Sequence, residues 1–523
     1  MSDQLTNAFQ QRRQLALDLS SMAETETEEE LQAAAQAIAE SYSADLILGE
    51  IVKRLDTPNS QLRGGLGHLA ALLPPEEVVP VLRSAVGDRR NGAQERITAA
   101  LLLERFVGEP VPAALLSDLS QSNEVAFQSL REAVGDGKFN RHILLEYAVQ
   151  MRQAGGDIAY LVMDLLDRLP ESDRVELLRL VALDDRQAVA AAALDRLERL
   201  AQGEAGPQAL AALHTLHFVL PPALASVAER SLRKLRFSGL RYEPPEPHGI
   251  RCLISPADMG GFQSIWFVRM PSAGGAGQNA GGALLGLIAN GRTGLAHAFG
   301  RERMAAEELP PLRAVGETVE IPARDGRDAV MLEAPFDFGR RRVQTALAAH
   351  WRTSSELPDE FKLYCDLIAR YAAPEASPEL AAIFAGELDE DVAPQTQSAH
   401  DLQTDAASLL SHPAMAGWLR PHGLFTLRQE RPPRMSAAAR AALARTILAE
   451  LEEHPEKELL RQAMAEGLRS QAAWLLIADS REQSDRALRL ARALPHLPPS
   501  GNPLLALIVE AGLNTSQASD DAG

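Results

Sequence analysis

IRCLI (Ile250–Ile254), SIWFVRM (Ser264–Met270), ALLGLIA (Ala283–Ala289) and GLAHAF (Gly294–Phe299) are four short apolar runs with turn residues between them. They fall inside the one long stretch, Ile250 to Pro335, whose apolar residues do not recur at helical spacing, so they read as strands. Met259-Gly260-Gly261 suits the first turn and Asn290-Gly291 the last, because glycine and asparagine accept the positive φ of tight hairpins. A β-meander is expected. Ile265, Trp266, Phe267 and Val268 are apolar on both faces of the second strand, which places it centrally with cover on both sides. In the fourth strand Leu295, His297 and Phe299 are expected on one face, and Ala296 and Ala298 on the other, where a helix can lie close. Asp337 as N-cap, followed by Val343, Leu347 and Trp351 at i, i+4 and i+8, supplies that helix. Residues 241–355 therefore read as a small α+β module.

Before the module, from about Glu28 to Arg236, apolar residues recur with helical spacing in segments broken by Pro, Gly or Asp. One pair of helices runs from Ala44 to Leu73, with Leu46, Ile51 and Leu55 on the first and Leu62, Leu66 and Leu69 on the second. Pro74-Pro75 then opens the next. A later pair carries Val175, Leu178 and Leu180, the turn Asp184-Asp185-Arg186, and Val189, Ala192, Leu194, Leu197 and Leu200. The segment DRQAVAAAALDRLERL resembles the second helix of HEAT-type repeats, and NSQLRGGLGHLAALLPPEEVVPVLRSAV is similar to the joint between successive repeats. The likeness covers roughly residues 44–236, within a domain expected over 1–240. It implies a curved stack of helix pairs that offers one long surface to a partner.

After the module, a helical connector is expected over 356–388, with helices at Pro358–Ala372 and Pro378–Leu388. A charged, aperiodic linker follows over 389–400, then a C-terminal helical domain over 401–513 and a disordered tail over 514–523. The expected fold class is mostly α: a HEAT-like solenoid, a central α+β module with an antiparallel meander, and a C-terminal helical region.

The chain has 523 residues, enough for about three domains with their own cores. Its 52 Lys and Arg against 71 Asp and Glu give a net charge of -19, which opposes non-specific binding to nucleic acid or anionic membrane. No apolar window approaches the length of a membrane span, and the first residues lack the apolar core of a signal peptide, so a cytoplasmic location is expected. The two cysteines, Cys252 and Cys365, stand far apart among apolar residues and read as buried free thiols.

Chemistry-bearing patterns are sparse. The glycine-rich run Gly274–Gly282 contains G-x-G-x-x-A, but the run that follows has the length of a strand, so it reads as a hairpin loop instead of a phosphate cradle. No P-loop, H-E-x-x-H, G-x-S-x-G or C-x-x-C motif occurs. His214 and His217 lie three apart on a helix without a neighbouring carboxylate and read as ordinary helix histidines, not a metal pair. Asp258, His297 and Glu333 are an acid-base set only if the meander brings them together; structural roles for each are the plainer reading.

No catalytic, cofactor-binding or metal-ligating residue is assigned. Two groups are candidates for contact. Arg340, Arg341 and Arg342 at a helix start suit an anionic ligand or an acidic partner segment. The aromatics gathered in the module mark a candidate pocket at Trp266, His297 and Trp351. The expected function is a non-enzymatic helical-repeat scaffold or adaptor for an unidentified protein partner, with no nucleic acid, membrane or cofactor. The alternative is a small-molecule-binding or catalytic α+β module flanked by helical clamps.

Overall fold

The structure is a computed structural model. It describes residues 2–518 except 24, 26–27, 58, 89, 112–121, 155, 272–280, 323–327, 354–355, 373–379, 381–397 and 420–435. The protein is mostly α-helical around a central antiparallel sheet and forms two compact units, Met1–Arg174 and Val175–Gly523. The division falls inside the run read as one repeat domain to residue 240. Helices 187–200, 206–219 and 222–237 thus belong to the unit that holds the sheet.

The first unit is helical throughout its described residues, from Ser2–Met22 to Gly156–Leu166. Its core joins Leu15, Leu19, Met22, Leu31, Ile47, Ile51, Leu66, Leu69, Val78 and Leu82. The spacing that marks Ile51, Leu55, Leu66 and Leu69 is the spacing of buried positions, because a helix lying on neighbours hides one stripe. Asn59 caps the helix Ser60–Leu72 by accepting from the Leu62 amide at 2.9 Å. Gly67 in that helix lets the Phe106 ring lie against its backbone.

The second unit is built on six strands: β1 (Ile250–Ile254), β2 (Gln263–Arg269), β3 (Gly282–Asn290), β4 (Gly294–Met304), β5 (Thr318–Pro322) and β6 (Asp328–Ala334). Their order is β4-β3-β2-β1-β6-β5, with every pairing antiparallel. The four expected strands are present and β2 is interior; β5 and β6 extend the sheet on the far side of β1. Gly261 takes φ 83° in the first turn, where the Asp258 carboxylate accepts the Phe262 amide at 2.8 Å. The last hairpin closes differently from expectation. Asn290 caps the Arg292 and Thr293 amides at 2.8 and 3.1 Å, and the positive φ falls at Gly294 instead. The glycine-rich run lies outside the described residues, apart from Gly281 and Gly282.

The expected face assignment in β4 is half right. A bulge near Ala296 puts Leu295 opposite Ala289 on the inner face, while His297 and Phe299 stay on the outer face opposite Ile288 and Gly286. Ala298 is buried on the inner face, which a helix covers. That helix, Phe336–Thr353, begins one residue before Asp337, which sits in its first turn rather than capping it. It lays Gly339 directly on Cys252 and Phe267, where any side chain would collide, and Phe336 meets the Phe267 ring edge-on at 5.8 Å. The expected helix Pro358–Ala372 is two short ones, Asp359–Tyr364 and Asp366–Ala369. The expected Pro378–Leu388 helix, apart from Leu380, and most of the 389–400 linker fall outside the described residues.

Flanking helices are tied to the sheet by polar bonds onto backbone. The Trp474 and Trp418 indoles donate to the Ile254 and Ala257 carbonyls at 3.0 and 2.7 Å, and Gln471 accepts the Ala257 amide at 2.9 Å. Between the helices themselves, Trp351 donates to the Val219 carbonyl at 3.1 Å and Arg179 to the Lys362 and Leu363 carbonyls at 2.8 and 3.1 Å. The last helix, Pro503–Ala518, runs past Leu513 into the stretch expected to be a disordered tail, since Asn514–Ala518 holds neither glycine nor proline to stop it. No helix among the described residues is long and apolar enough to cross a membrane.

On the outer face, Arg251 of β1 and Glu333 of β6 form a buried two-point pair at 3.0 and 2.6 Å, and Arg251 also donates to the Pro310 and Pro311 carbonyls at 2.7 and 2.9 Å. Removing one partner of such a pair strands the other charge. Glu333→Ala is expected to lower the unfolding free energy by about 3–5 kcal/mol, read as a fall in urea midpoint. A loss under about 1 kcal/mol would show that Arg251 is not desolvated as the structure has it.

Candidate functional site

The strap that Arg251 holds, 305–317, covers only part of the outer face. Leu309 and Met304 close over Leu253, Val268, Leu284, Val319 and Met331. Beyond them two cross-strand rows lie open. One row is Trp266, Gly286 and Phe299; the next is Ser264, Ile288 and His297. Ile288 and Phe299 are each 37 % exposed, and His297 is exposed.

Gly286 makes this surface possible. With no side chain between them, Trp266 and Phe299 meet edge to face across β3 at 5.6 Å, and a β-carbon at 286 would sit inside the Phe299 ring. The Trp266 indole is held by the Ser264 hydroxyl at 2.9 Å, and His297 lies beside Phe299 at 6.4 Å. The result is a platform three strands wide, roughly 10 Å across at the usual spacing of strands. It is apolar at the centre with a hydroxyl and an imidazole at its rim.

Of the candidate pocket residues, Trp266 and His297 share this platform. Trp351 does not: it belongs to the helix on the inner side, bonded to Val219. Sequence reasoning misses Gly286 and Ile288, although the alternation in ALLGLIA puts both on the face of Leu284. Asp258, His297 and Glu333 do not come together: Asp258 serves the β1–β2 turn, and His297 on β4 is separated from Glu333 on β6 by three strands.

The three arginines part company. Arg342 is buried against the helix Lys457–Ile477, 2.8 Å from the Ser470 hydroxyl and 3.5 Å from Glu466, so it is an internal tie, not an outward anion contact. Burial draws its pKa down while Glu466 opposes that. Arg341 is half-buried. Arg340 is 7 % exposed, donates to the Ile368 carbonyl at 3.2 Å and lies over the Phe218 ring at 4.6 Å. The other basic concentration, before the sheet, lines an open cleft of about 390 Å³ with Arg230, Arg233, Lys234, Phe237 and Ser238. Its charges are largely spoken for: Arg233 pairs with Glu229 and Lys234 with Glu198.

His214 and His217 diverge as their helix turns. His217 is exposed, while His214 stacks on Tyr242 at 4.7 Å. No group of three metal-ligating side chains occurs among the described residues. Cys252 and Cys365 are buried free thiols, and burial pushes the Cys252 thiol far up, which keeps it protonated and inert.

Compared with known proteins, the chain matches no family model, and neither a curated protein nor a solved structure matches it.

Burial, with Arg340 and His217 nearby, holds the His214 pKa down at about 4 against its ordinary 6.5. Above 6.5 both folded and unfolded forms are neutral. Between 6.5 and 4 only the unfolded chain takes the proton, so stability falls as pH drops through that window. His214→Phe, which keeps the stacking on Tyr242, is expected to make the acid-side decline of the melting temperature shallower between pH 6.5 and 4. An unchanged slope would show that His214 is not the group responsible.

Proposed function

We propose that the protein is a non-enzymatic helical scaffold that binds a protein partner, and that the Trp266, Ile288 and Phe299 platform is its contact surface. The observation that carries this reading is the incomplete cover of the outer sheet face. A chain that closes one half of that face with a strap pinned by a buried ion pair leaves an aromatic half open. Aromatic side chains on a rigid sheet are the residues from which binding hot spots are made, because they bury large area with little rotamer loss. The resemblance of residues 44–236 to HEAT-type repeats supports the same class of function, since stacked helix pairs offer long surfaces and seldom catalyse. The net charge of -19 disfavours nucleic acid and anionic membrane as partners. A second reading, ligand binding by the sheet-containing unit, draws on one observation: Arg340 is a buried cation with no carboxylate among the described residues.

The test compares affinity purification from the native cell with the intact chain and with an Ile288→Thr, Phe299→Ser variant. The partner is expected to be recovered in stoichiometric amount with the former and at least about tenfold less with the latter, since truncating a hot-spot aromatic costs about 2 kcal/mol or more. The variant loses the Trp266 edge contact, about 0.5–1.5 kcal/mol, in addition to the apolar burial of the two side chains, so recoveries are compared at a temperature where melting curves show both proteins folded. Equal recovery by both proteins would remove the platform from the interface.

A further inference from the structure

Among the described residues of the second unit four arginines are buried: Arg179, Arg251, Arg340 and Arg342. Three meet a carboxylate, Arg179 that of Glu176 at 2.8 Å, Arg251 that of Glu333 at 2.6 Å and Arg342 that of Glu466 at 3.5 Å. Arg340 meets none among the described residues. Its Nε donates to the Ile368 carbonyl and its plane lies over the Phe218 ring. The two terminal amino groups, which carry four of its five donors, meet no acceptor among the described residues and are not sealed from solvent. In a chain with 71 carboxylates against 52 cations, a structural counter-ion for a buried arginine is easily found. Two residues along the same helix Arg342 has one. A cation left bare in that setting is the signature of a site whose anion arrives from outside.

The surroundings fit an anion. Phe218 under the guanidinium is four residues beyond His214 on the helix 206–219, so both project from one face of that helix. His214 stacks on Tyr242, and its Nε2 is buried without a hydrogen-bond partner among the described residues. Tyr242 donates to the Arg370 carbonyl at 2.8 Å, which brings the backbone of a second arginine to the same corner. The groups that act electrostatically on His214 are Arg340 and His217, both of which disfavour its protonated form; Arg370 acts on Tyr242. The corner is rich in donors and short of negative charge.

We propose that Arg340 holds the oxyanion group of a small ligand, a phosphate or carboxylate, with the His214 imidazole beside it as a second donor. The guanidinium fork matches two oxygens of either group, and the Phe218 ring fixes the plane in which the fork opens. This site is independent of the outer-face platform, because Arg340 lies on the inner, helix-covered side of the sheet. It rests on none of the protein-binding argument.

The experiment measures melting temperature of the full chain against increasing inorganic phosphate or acetate, with chloride at equal ionic strength as reference. It also follows the His214 imidazole by NMR titration in the unaltered protein. A saturable rise with phosphate alone assigns a phosphate group, and one with acetate alone a carboxylate group. Arg340→Met, which keeps an apolar stem over Phe218, is expected to raise the half-saturating concentration at least about tenfold, the worth of one charge-assisted bond. Arg340→Lys, a charge without the fork, is expected to fall between. In the unaltered chain the bound anion is expected to move the His214 pKa up from about 4 toward 6.5. The titration discriminates even if Arg340→Met fails to fold. A response no larger than chloride's, a saturable shift that survives Arg340→Met, or a His214 pKa unmoved at saturating anion would each overturn the assignment.

Discussion

The sheet depends first on the pair between Arg251 and Glu333. Cross-strand partners usually interact through apolar contact worth a few tenths of a kcal/mol to about 1 kcal/mol. Here a full charge pair is desolvated between β1 and β6, 7 % and 5 % exposed at the side chains. A pair of this kind adds little net stability over apolar packing, but every wrong register leaves two buried charges unpaired. It therefore fixes how β6 lies on β1. The donors Arg251 has left over reach the Pro310 and Pro311 carbonyls; neither proline has an amide N–H with which to bond to the sheet, so their carbonyls are what ties the strap here. The same side chain thus fixes a strand register and the path of the strap. Where the strap lies determines which half of the outer face is covered and which half is left as the Trp266 and Phe299 platform.

A second set of constraints holds the helices to the sheet and to one another. Three of the four tryptophans spend their indole N–H on a carbonyl of another element, at Val219, Ala257 and Ile254. Helix packing alone tolerates sliding, since apolar contact has no direction. An indole seated on one carbonyl has direction, and leaving that buried carbonyl unmet costs about 1–3 kcal/mol. Gly339 against Cys252 and Gly300 against the Tyr364 ring work to the same end from the steric side. The sheet is accordingly one layer of a larger compact unit that starts at Val175.

Much of this is legible in the residues, and the boundary of legibility follows physical lines. The meander can be read because alternation survives wherever one face is buried, as in SIWFVRM and ALLGLIA. β5 and β6 escape such a reading, since TVEIP is short and ends in proline and the apolar run of DAVMLEA is broken by Glu333, a buried carboxylate whose partner, Arg251, lies on β1. Alternation alone puts Leu295 on the wrong face because a bulge shifts parity by one residue, and no local signal at Ala296 announces it. Trp266 and Trp351 group together by residue type, but type does not say on which side of a sheet a ring falls. Arg340 to Arg342 show the same limit most sharply. Three adjacent charges look alike in sequence, yet the helical turn sends each in a different direction, and only the structure shows that Glu466 reaches one of them.

The two candidate surfaces differ in what holds them, and this separates their roles. On the outer face the side chains are apolar and the contact is non-directional, so its specificity has to come from shape: the gap that Gly286 opens, the Trp266 ring fixed by Ser264, and the edge of the strap. On the inner side a single cation sits where desolvation draws its pKa down, held by a π face and one carbonyl. Its specificity comes from charge and the planar fork, and shape matters less. A broad apolar surface suits a partner that buries many side chains at once, whereas a bare buried guanidinium suits one small group that brings a single negative charge. The helix Phe336–Thr353 touches both regimes. Its Gly339 and Phe336 pack the sheet from within, and Arg340, the next residue after Gly339, turns away toward Phe218. Because Gly339 leaves no slack against Cys252, the position of Arg340 is set by the sheet itself and not by the flexibility of its own side chain.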